Sequence, residues 1–346
     1  MRVGFVLTGA AAAAFAIFGL AGCSNSGGGD TSASNPPPAS GGTPTAAKPG
    51  TNPKTGKPIV MGFSQIGAES DWRKANTKSI QEEAQARGID LKFVDAQQKQ
   101  ENQIKAIKGF IAQGVDVIAF SPVVEPGWKS VLEEAKTAGI PVIVSDRRPD
   151  VTEDLYVTFL GSDFVQEGQK AAQWLADHTN GKATIAELTG TVGSAPANDR
   201  AKGFRDVIAK YPNMKIDFTQ TGDFKRAIGK EVMEALLKSP KGSQITALFA
   251  HNDDMAIGAI QAIKAAGKKP GTDIIIVSID GIHDALQALK DGELNYCVEC
   301  NPLLGPMLMD SVEATLAGKA LPKRQLMKDE AFDKAAAVKV LPSRKY

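Results

Sequence analysis

The stretch "LFAHNDDMAIGAIQAIKAAG", residues 248–267, runs from apolar residues through His251, Asn252, Asp253 and Asp254 into a helical pattern. Such a group could ligate a metal, pair two carboxylates for acid–base work, cap a helix or hold a ligand rich in hydroxyls. Metal ligation would need consecutive side chains to converge, which a strand-to-helix junction rarely permits, so no metal site is expected. The spacing predicts a division of labour instead. Asn252 leaves the strand end and points into a cleft, while Asp253 or Asp254 accepts the unpaired N–H groups of a helix beginning at Met255. The plain alternative is that Asn252 also does no more than cap.

Other candidate chemistry is thin. The chain has no G-x-G-x-x-G turn, no phosphate-loop lysine motif and no G-x-S-x-G nucleophile elbow, and "GTVGSAP" has the wrong spacing for a dinucleotide turn. No catalytic residue and no cofactor are expected. His178, His251 and His283 stand far apart, and His178 lies near a helix end where a cationic ring complements the dipole. The C-x-x-C of Cys297 and Cys300 invites a redox or zinc reading. "LNYCVECNP" looks like a strand, however, in which positions three apart face opposite sides, and no second Cys or His pair accompanies it. Two ordinary cysteines in a β-rich stretch is the better reading.

The totals and the N-terminus bound location. Lys and Arg number 40 against 39 Asp and Glu, so no global field recruits nucleic acid or anionic lipid. Behind Arg2 an apolar run ends at Cys23, which predicts a secretory signal over residues 1–22. The run is long enough to span a membrane, but "LAGC" resembles a bacterial lipobox, which would make Cys23 the lipidated first residue. The expected location is extracytoplasmic, anchored to the cell membrane by lipid rather than by a helix. Residues 24–57 hold almost no large apolar side chain and cannot offset their ordering entropy. Residues 23–57 are therefore expected to be a lipidated Cys and a tether.

Elements must position whatever binds. Ten short apolar, β-branched runs, "IVMGF", "LKFVDA", "VDVIAFSP", "IPVIVSD", "YVTFLGSD", "ATIAELTG", "KIDFTQTG", "ITALFAHND", "IIIVSID" and "LNYCVEC", alternate with helical periodicity. Gly88, Gly114, Gly139, Gly181 and Gly267 mark helix stops. Alternation of this kind predicts an α/β chain with parallel sheets covered on both faces. The two runs of five, separated near "FLGSDFVQEG", predict two similar doubly wound lobes. Ligands of open α/β sheets bind outside the strands' carboxyl ends. Here those ends carry Ser64 and Gln65, Asp146 and Arg147, Asn252 and Asp253, Asp280, and Glu299. If both lobes turn these ends toward each other, they line one cleft.

From about residue 59 onward the sequence resembles the periplasmic sugar-binding proteins of ABC transporters, the type I ribose- and galactose-binding group, and within it the galactofuranose binders. The likeness rests on "GFSQIGAESDWR", "QQKQENQIKAI", "GVDVIAFSPVVEPGW", "GTVGSAPANDRAKGF", "GDFKRAIGKEVME", "AHNDDMAIGAIQAIK" and "SIDGIHDA". The resemblance implies ligand contacts from Glu69, Trp72, Arg73, Asp146, Arg147, Arg200, Phe224, Asn252, Asp280 and Glu299. Carboxylate and guanidinium groups would form bidentate pairs with vicinal hydroxyls, and Phe224 would pack on a sugar face. Many relatives carry an amide where Glu299 stands. Trp128 is left with the structure. Arg148 adds a charge near the cleft rim, and Cys297 and Cys300 depart from the family pattern. Three arginines set against Asp146, Asp280, Glu299 and Glu69 make the site slightly acidic, which suits a neutral monosaccharide rather than a sugar phosphate.

The resemblance also implies a three-segment hinge between an N-terminal lobe, residues 58–161 with 300–327, and a C-terminal lobe, 162–299 with 328–346. The loaded form of a monomer would dock on a membrane permease paired with an ATPase. A sugar-sensing protein that signals to a membrane receptor is the alternative. A DNA-binding repressor shares such a core but would begin with a basic helix-turn-helix, and an enzyme on this scaffold would form product from a sugar.

Overall fold

The computed structural model describes residues 48–346. The apolar run, Cys23 and the polar stretch up to residue 47 lie outside the described residues. The ten apolar runs all form strands. Along the first part the chain gives β1 (Val60–Gln65), α1 (Asp71–Arg87), β2 (Asp90–Asp95), α2 (Gln100–Gln113), β3 (Val117–Phe120), α3 (Lys129–Thr137), β4 (Val142–Ser145) and β5 (Phe159–Gly161). It continues through α4 (Phe164–His178), β6 (Lys182–Thr189), α5 (Ala195–Ile208), β7 (Asn213–Thr221), α6 (Arg226–Lys238), β8 (Ala247–Ala250), α7 (Asp253–Ala265), β9 (Ile275–Asp280), α8 (His283–Asp291) and β10 (Tyr296–Glu299). It ends with α9 (Gly305–Leu316), β11 (Arg324–Leu326), β12 (Ala331–Phe332) and α10 (Lys334–Val340).

Two six-stranded sheets result, ordered β11-β5-β4-β3-β1-β2 and β12-β10-β9-β8-β6-β7. The central strands β3, β4 and β8 are buried at every position, as continuous apolar runs in a doubly covered parallel sheet should be. The sequence pattern did not reveal β11 and β12. They have three and two residues, too few for a period to show, and β12 pairs antiparallel with β10. Helix ends follow the glycines: Gly88 and Gly114 adopt the left-handed conformation that closes α1 and α2.

The first sheet is packed on both faces. One side buries Ile107, Phe110, Phe120 and Leu132 with Trp128, whose ring centroid lies 5.0 Å from that of Phe120 and whose indole N–H donates to the Val124 carbonyl. That places Trp128 in the core. The other side buries Ile59, Met61, Phe63 and Ile80 against Leu308, Met309 and Val312 of α9. Side chains of this size stabilise by about 1.5–3 kcal/mol each on full burial, which fastens the returning α9 to the first lobe. A single large cluster around Phe204, Phe249 and Ile279 fills the second. The chain thus passes between the sheets three times: from β5 to α4, from β10 to α9, and from β11 to β12.

One expectation needs correction. Residues 48–57 belong to the first lobe rather than to a tether. Asn52 is buried and donates to Asp116 Oδ1 at 2.7 Å, the Gly50 N–H donates to Glu313 Oε1 at 2.9 Å, and Thr51 bridges Pro58. Two polar anchors and a local backbone bridge hold what apolar content could not.

Candidate ligand-binding site

A cleft with about 280 Å³ of space, its open mouth included, lies between the carboxyl ends of the two sheets. Its wall is charged and polar with two aromatic rings, and both lobes contribute.

The first lobe supplies Glu69, Ser70, Trp72, Arg73, Asp146 and Arg147. Ser70 caps α1 by accepting the Arg73 N–H at 3.1 Å, which turns the first helical turn into the cleft. Arg73 then donates from Nη2 to Asp146 Oδ2 at 2.6 Å and from Nε to Glu69 Oε1 at 3.1 Å. Burial alone would depress this guanidinium, but Asp146 and Glu69 outweigh it and hold it above its ordinary value. Asp146 follows β4 at φ 63°, in the left-handed region, and also accepts the Ser121 hydroxyl at 3.1 Å. Arg147 donates from Nη1 to the Val123 carbonyl and stands 3.8 Å from Glu69. Burial, with Arg73 beside it, pulls its pKa down to about 10, still charged at neutral pH. Arg147 Nε and Glu69 Oε2 are buried with no partner among the described residues. Such groups carry a desolvation cost until something bonds them.

From the second lobe come Pro196, Arg200, Phe224, Asn252, Asp280 and Cys300. Arg200 is steered by Glu167 (Nε to Oε2, 2.7 Å) and by the His251 carbonyl (Nη1, 2.7 Å), which leaves Nη2 at 3.6 Å from Asp280 Oδ1. Burial raises Asp280 well above its ordinary value, with Arg200 pulling against it. Phe224 sits at φ 59°, a strained position for an aromatic residue. Its ring lies over Gly190, where a Cβ would come within 1.9 Å of the Phe224 ring. Arg147 and Arg200 stack toward that ring at 5.2 and 5.9 Å. Trp72 Nε1 donates to the Cys300 carbonyl at 2.5 Å, joining the lobes beside the cavity.

Nine of the ten residues named from the sequence therefore line one cavity. Glu299 does not. Its carboxylate is taken by Arg344 and Tyr346, each at 2.7 Å from Oε1, and by the Glu330 N–H at Oε2, so it fastens the C-terminal segment. Without Glu299 the wall has one carboxyl fewer than expected and sets three arginines against Glu69, Asp146 and Asp280.

The capping expectation also changes. Asn252 does both jobs: Oδ1 accepts the Met255 N–H at 3.0 Å as cap of α7, and Nδ2 donates to the Phe224 carbonyl. Asp253 instead turns away, accepting the Gly281 and Ile282 N–H groups and the Ser278 hydroxyl, while Asp254 accepts the Asp71 N–H. His251 is buried against Glu187 at 3.2 Å, and burial lowers its pKa. Ser70, Pro196 and Cys300 were not singled out as ligand contacts. A cysteine gave no cue for this, and Ser70 read only as part of a motif.

Cys297 and Cys300 are unbridged thiols, the first directed at Asp253 and the second at Ser162. Burial pushes both thiols up, so neither is a ready nucleophile. What the wall offers is a ring of fixed donors and acceptors able to hold vicinal hydroxyls in pairs.

The periplasmic binding protein domain profile matches residues 61–320. The chain belongs to the periplasmic binding protein family. Members of this family are solute-binding proteins, not enzymes, and the chain falls among the sugar binders of ABC importers. This periplasmic binding protein is 50% identical over 270 residues to the galactofuranose-binding protein YtfQ of Escherichia coli K12, covering 77% of this chain and 85% of that one. A Mycobacterium smegmatis protein in complex with β-D-fucofuranose has 56% identity and a TM-score of 0.81, over 83% of this chain and 95% of that one. The arabinose ABC transporter binding protein of Shewanella sp. ANA-3, bound to α- and β-L-arabinofuranose, has 52% identity and a TM-score of 0.81 over 83% and 96%.

Proposed function

We propose that this protein captures a neutral five-membered-ring sugar, galactofuranose or a close analogue, for an ABC importer. Lobe rotation at the three crossings would open and close the site. The observation that carries the reading is the cleft that brings three buried guanidiniums and three carboxyl groups together, with Arg147 and Arg200 against the Phe224 ring. Charges of both signs suit a ligand with many hydroxyls and no net charge. A sugar phosphate would leave two or more carboxylates facing it. The relatives' bound furanoses support the ring size. Cys23 would carry the lipid that tethers the protein outside the membrane, and its partners would be the permease and ATPase of the importer.

The test is isothermal titration of the purified protein with galactose, arabinose, ribose and inositol, followed by carbon NMR of the bound, labelled sugar. Binding of galactose or arabinose, with the bound sugar in the furanose form, is the expected result. Heat from none of the four, with protein shown to be folded and free of carried-over sugar, would end the proposal.

A further inference from the structure

Outside the cavity, a second set of charges joins the lobes beside α1. Arg226, at the start of α6, uses its whole guanidinium there. Nη2 donates to Asp71 Oδ2 at 2.9 Å, Nε to Asp254 Oδ1 at 3.0 Å, and Nη1 to Asp284 Oδ2 at 2.8 Å. Asp254, largely buried, also accepts the Asp71 N–H on Oδ2 at 2.8 Å. Asp71 belongs to the first lobe, whereas Arg226, Asp254 and Asp284 belong to the second. The seat is built by close helix packing: at Gly258 a Cβ would meet the Arg226 carbonyl at 2.1 Å, so α6 and α7 touch there and bring Arg226 over Asp254.

Asp71 immediately precedes Trp72 and Arg73, the two residues of α1 that line the cavity. We infer that Arg226 and Asp254 are positioning residues that pin the first turn of α1 to the second lobe and so set how long a captured sugar stays. This inference rests on the sugar-binding reading above. The arrangement is also asymmetric. Arg226 bonds three carboxylates, one on the opposite lobe, and Lys74 of α1 also holds Asp71, donating to Oδ1 at 2.9 Å. Removing Arg226 leaves Asp71 facing Asp254 and Asp284 with only the exposed Lys74 to offset the like charge, which weakens the hold between the lobes. Removing Asp71 only deletes one attraction. A residue that merely supported the second lobe would not produce that order.

The experiment is stopped-flow binding of galactose to the full chain, comparing wild type, Asp71→Asn, Arg226→Gln and the double variant. The expected result is a dissociation rate raised about three- to tenfold by Arg226→Gln and less by Asp71→Asn, with the association rate little changed. The two substitutions should be non-additive, because each removes the same cross-lobe bond. Salt should raise the wild-type dissociation rate, because Asp71 and Arg226 are partly exposed, and should do so less in the double variant. Unchanged dissociation rates, or strictly additive ones, overturn the inference while leaving the sugar reading intact. If the wild type binds no galactose, the sugar reading fails first, and hydrogen exchange at the Asp71 amide decides the rest. Faster exchange in Asp254→Ala than in wild type supports the pin, and equal exchange overturns it.

Discussion

Asp146→Asn isolates one charge at the centre of the site. Asp146 holds φ 63°, and asparagine tolerates that left-handed position best among residues of similar shape, so the backbone should not move. The amide can still accept the Arg73 and Ser121 donors that now reach Oδ2 at 2.6 and 3.1 Å. What disappears is the charge assistance. A hydrogen bond to a charged group contributes about 1.5–3 kcal/mol against about 0.5–1.5 for a neutral pair, so a sugar hydroxyl bonded there loses about 1–2 kcal/mol. Affinity should fall roughly 5- to 30-fold. Stability of the free protein should fall far less than the ~3–5 kcal/mol of an orphaned buried charge, because Arg73 keeps Glu69 at 3.1 Å and Gln65 at 3.4 Å. Calorimetric titration gives the first quantity and denaturant unfolding the second. A folded variant with wild-type affinity would show that Asp146 serves only to hold Arg73, and the hydroxyl-binding role assigned to it would be wrong.

Three further outcomes follow from the same geometry. Burial lifts Glu167 from the ordinary 4.5 to about 7 against the pull of Arg200, so its stabilising proton is fully present below pH 4.5 and lost as pH rises through 7. Unfolding free energy should drop by about 3 kcal/mol over that window from this group, and Glu167→Gln should flatten the profile by that amount; matching pH profiles for variant and wild type would refute the assignment. Gly190→Ala places a Cβ against the Phe224 ring, at an overpacking cost of about 1–3 kcal/mol. It should weaken sugar binding more than it lowers the melting temperature, and the reverse ranking would make Phe224 a core residue only. Glu299→Ala should cost about 3 kcal/mol of stability by stranding Arg344, with sugar affinity unchanged in titration; lost affinity in a protein still folded would return Glu299 to the site.

The fold was legible because its signals are local and repeated. Ten short runs such as "VIAF" and "ALFA" are dominated by apolar or β-branched residues, and left-handed glycines close helices such as α1, α2 and α8. The strands at the crossings were not legible, since "RQL" and "AF" are defined by the sheets that receive them. The site was legible to the extent that a charged or amide side chain ending an apolar strand must face something polar: Asp146, Asn252 and Asp280 obey that rule. Glu299 obeys it too, and misleads. The something polar is Arg344, 45 residues along the chain, and no spacing rule links strand ends to a C-terminal segment. Asp254 shows the same limit from the other side. Its sequence position says helix cap, but its partner is the backbone of Asp71 on the other lobe.

Charge balance connects these cases to ligand choice. Each guanidinium in the wall is already bonded to protein: Arg73 to Asp146, Arg147 to Val123, and Arg200 to Glu167. An anionic ligand would have to compete with those acceptors for the same donors. A polyol need not compete. It can accept from the unpartnered Arg147 Nε while donating to the unpartnered Glu69 Oε2, using one oxygen for both roles. The site is therefore selective against charge by virtue of being internally neutralised.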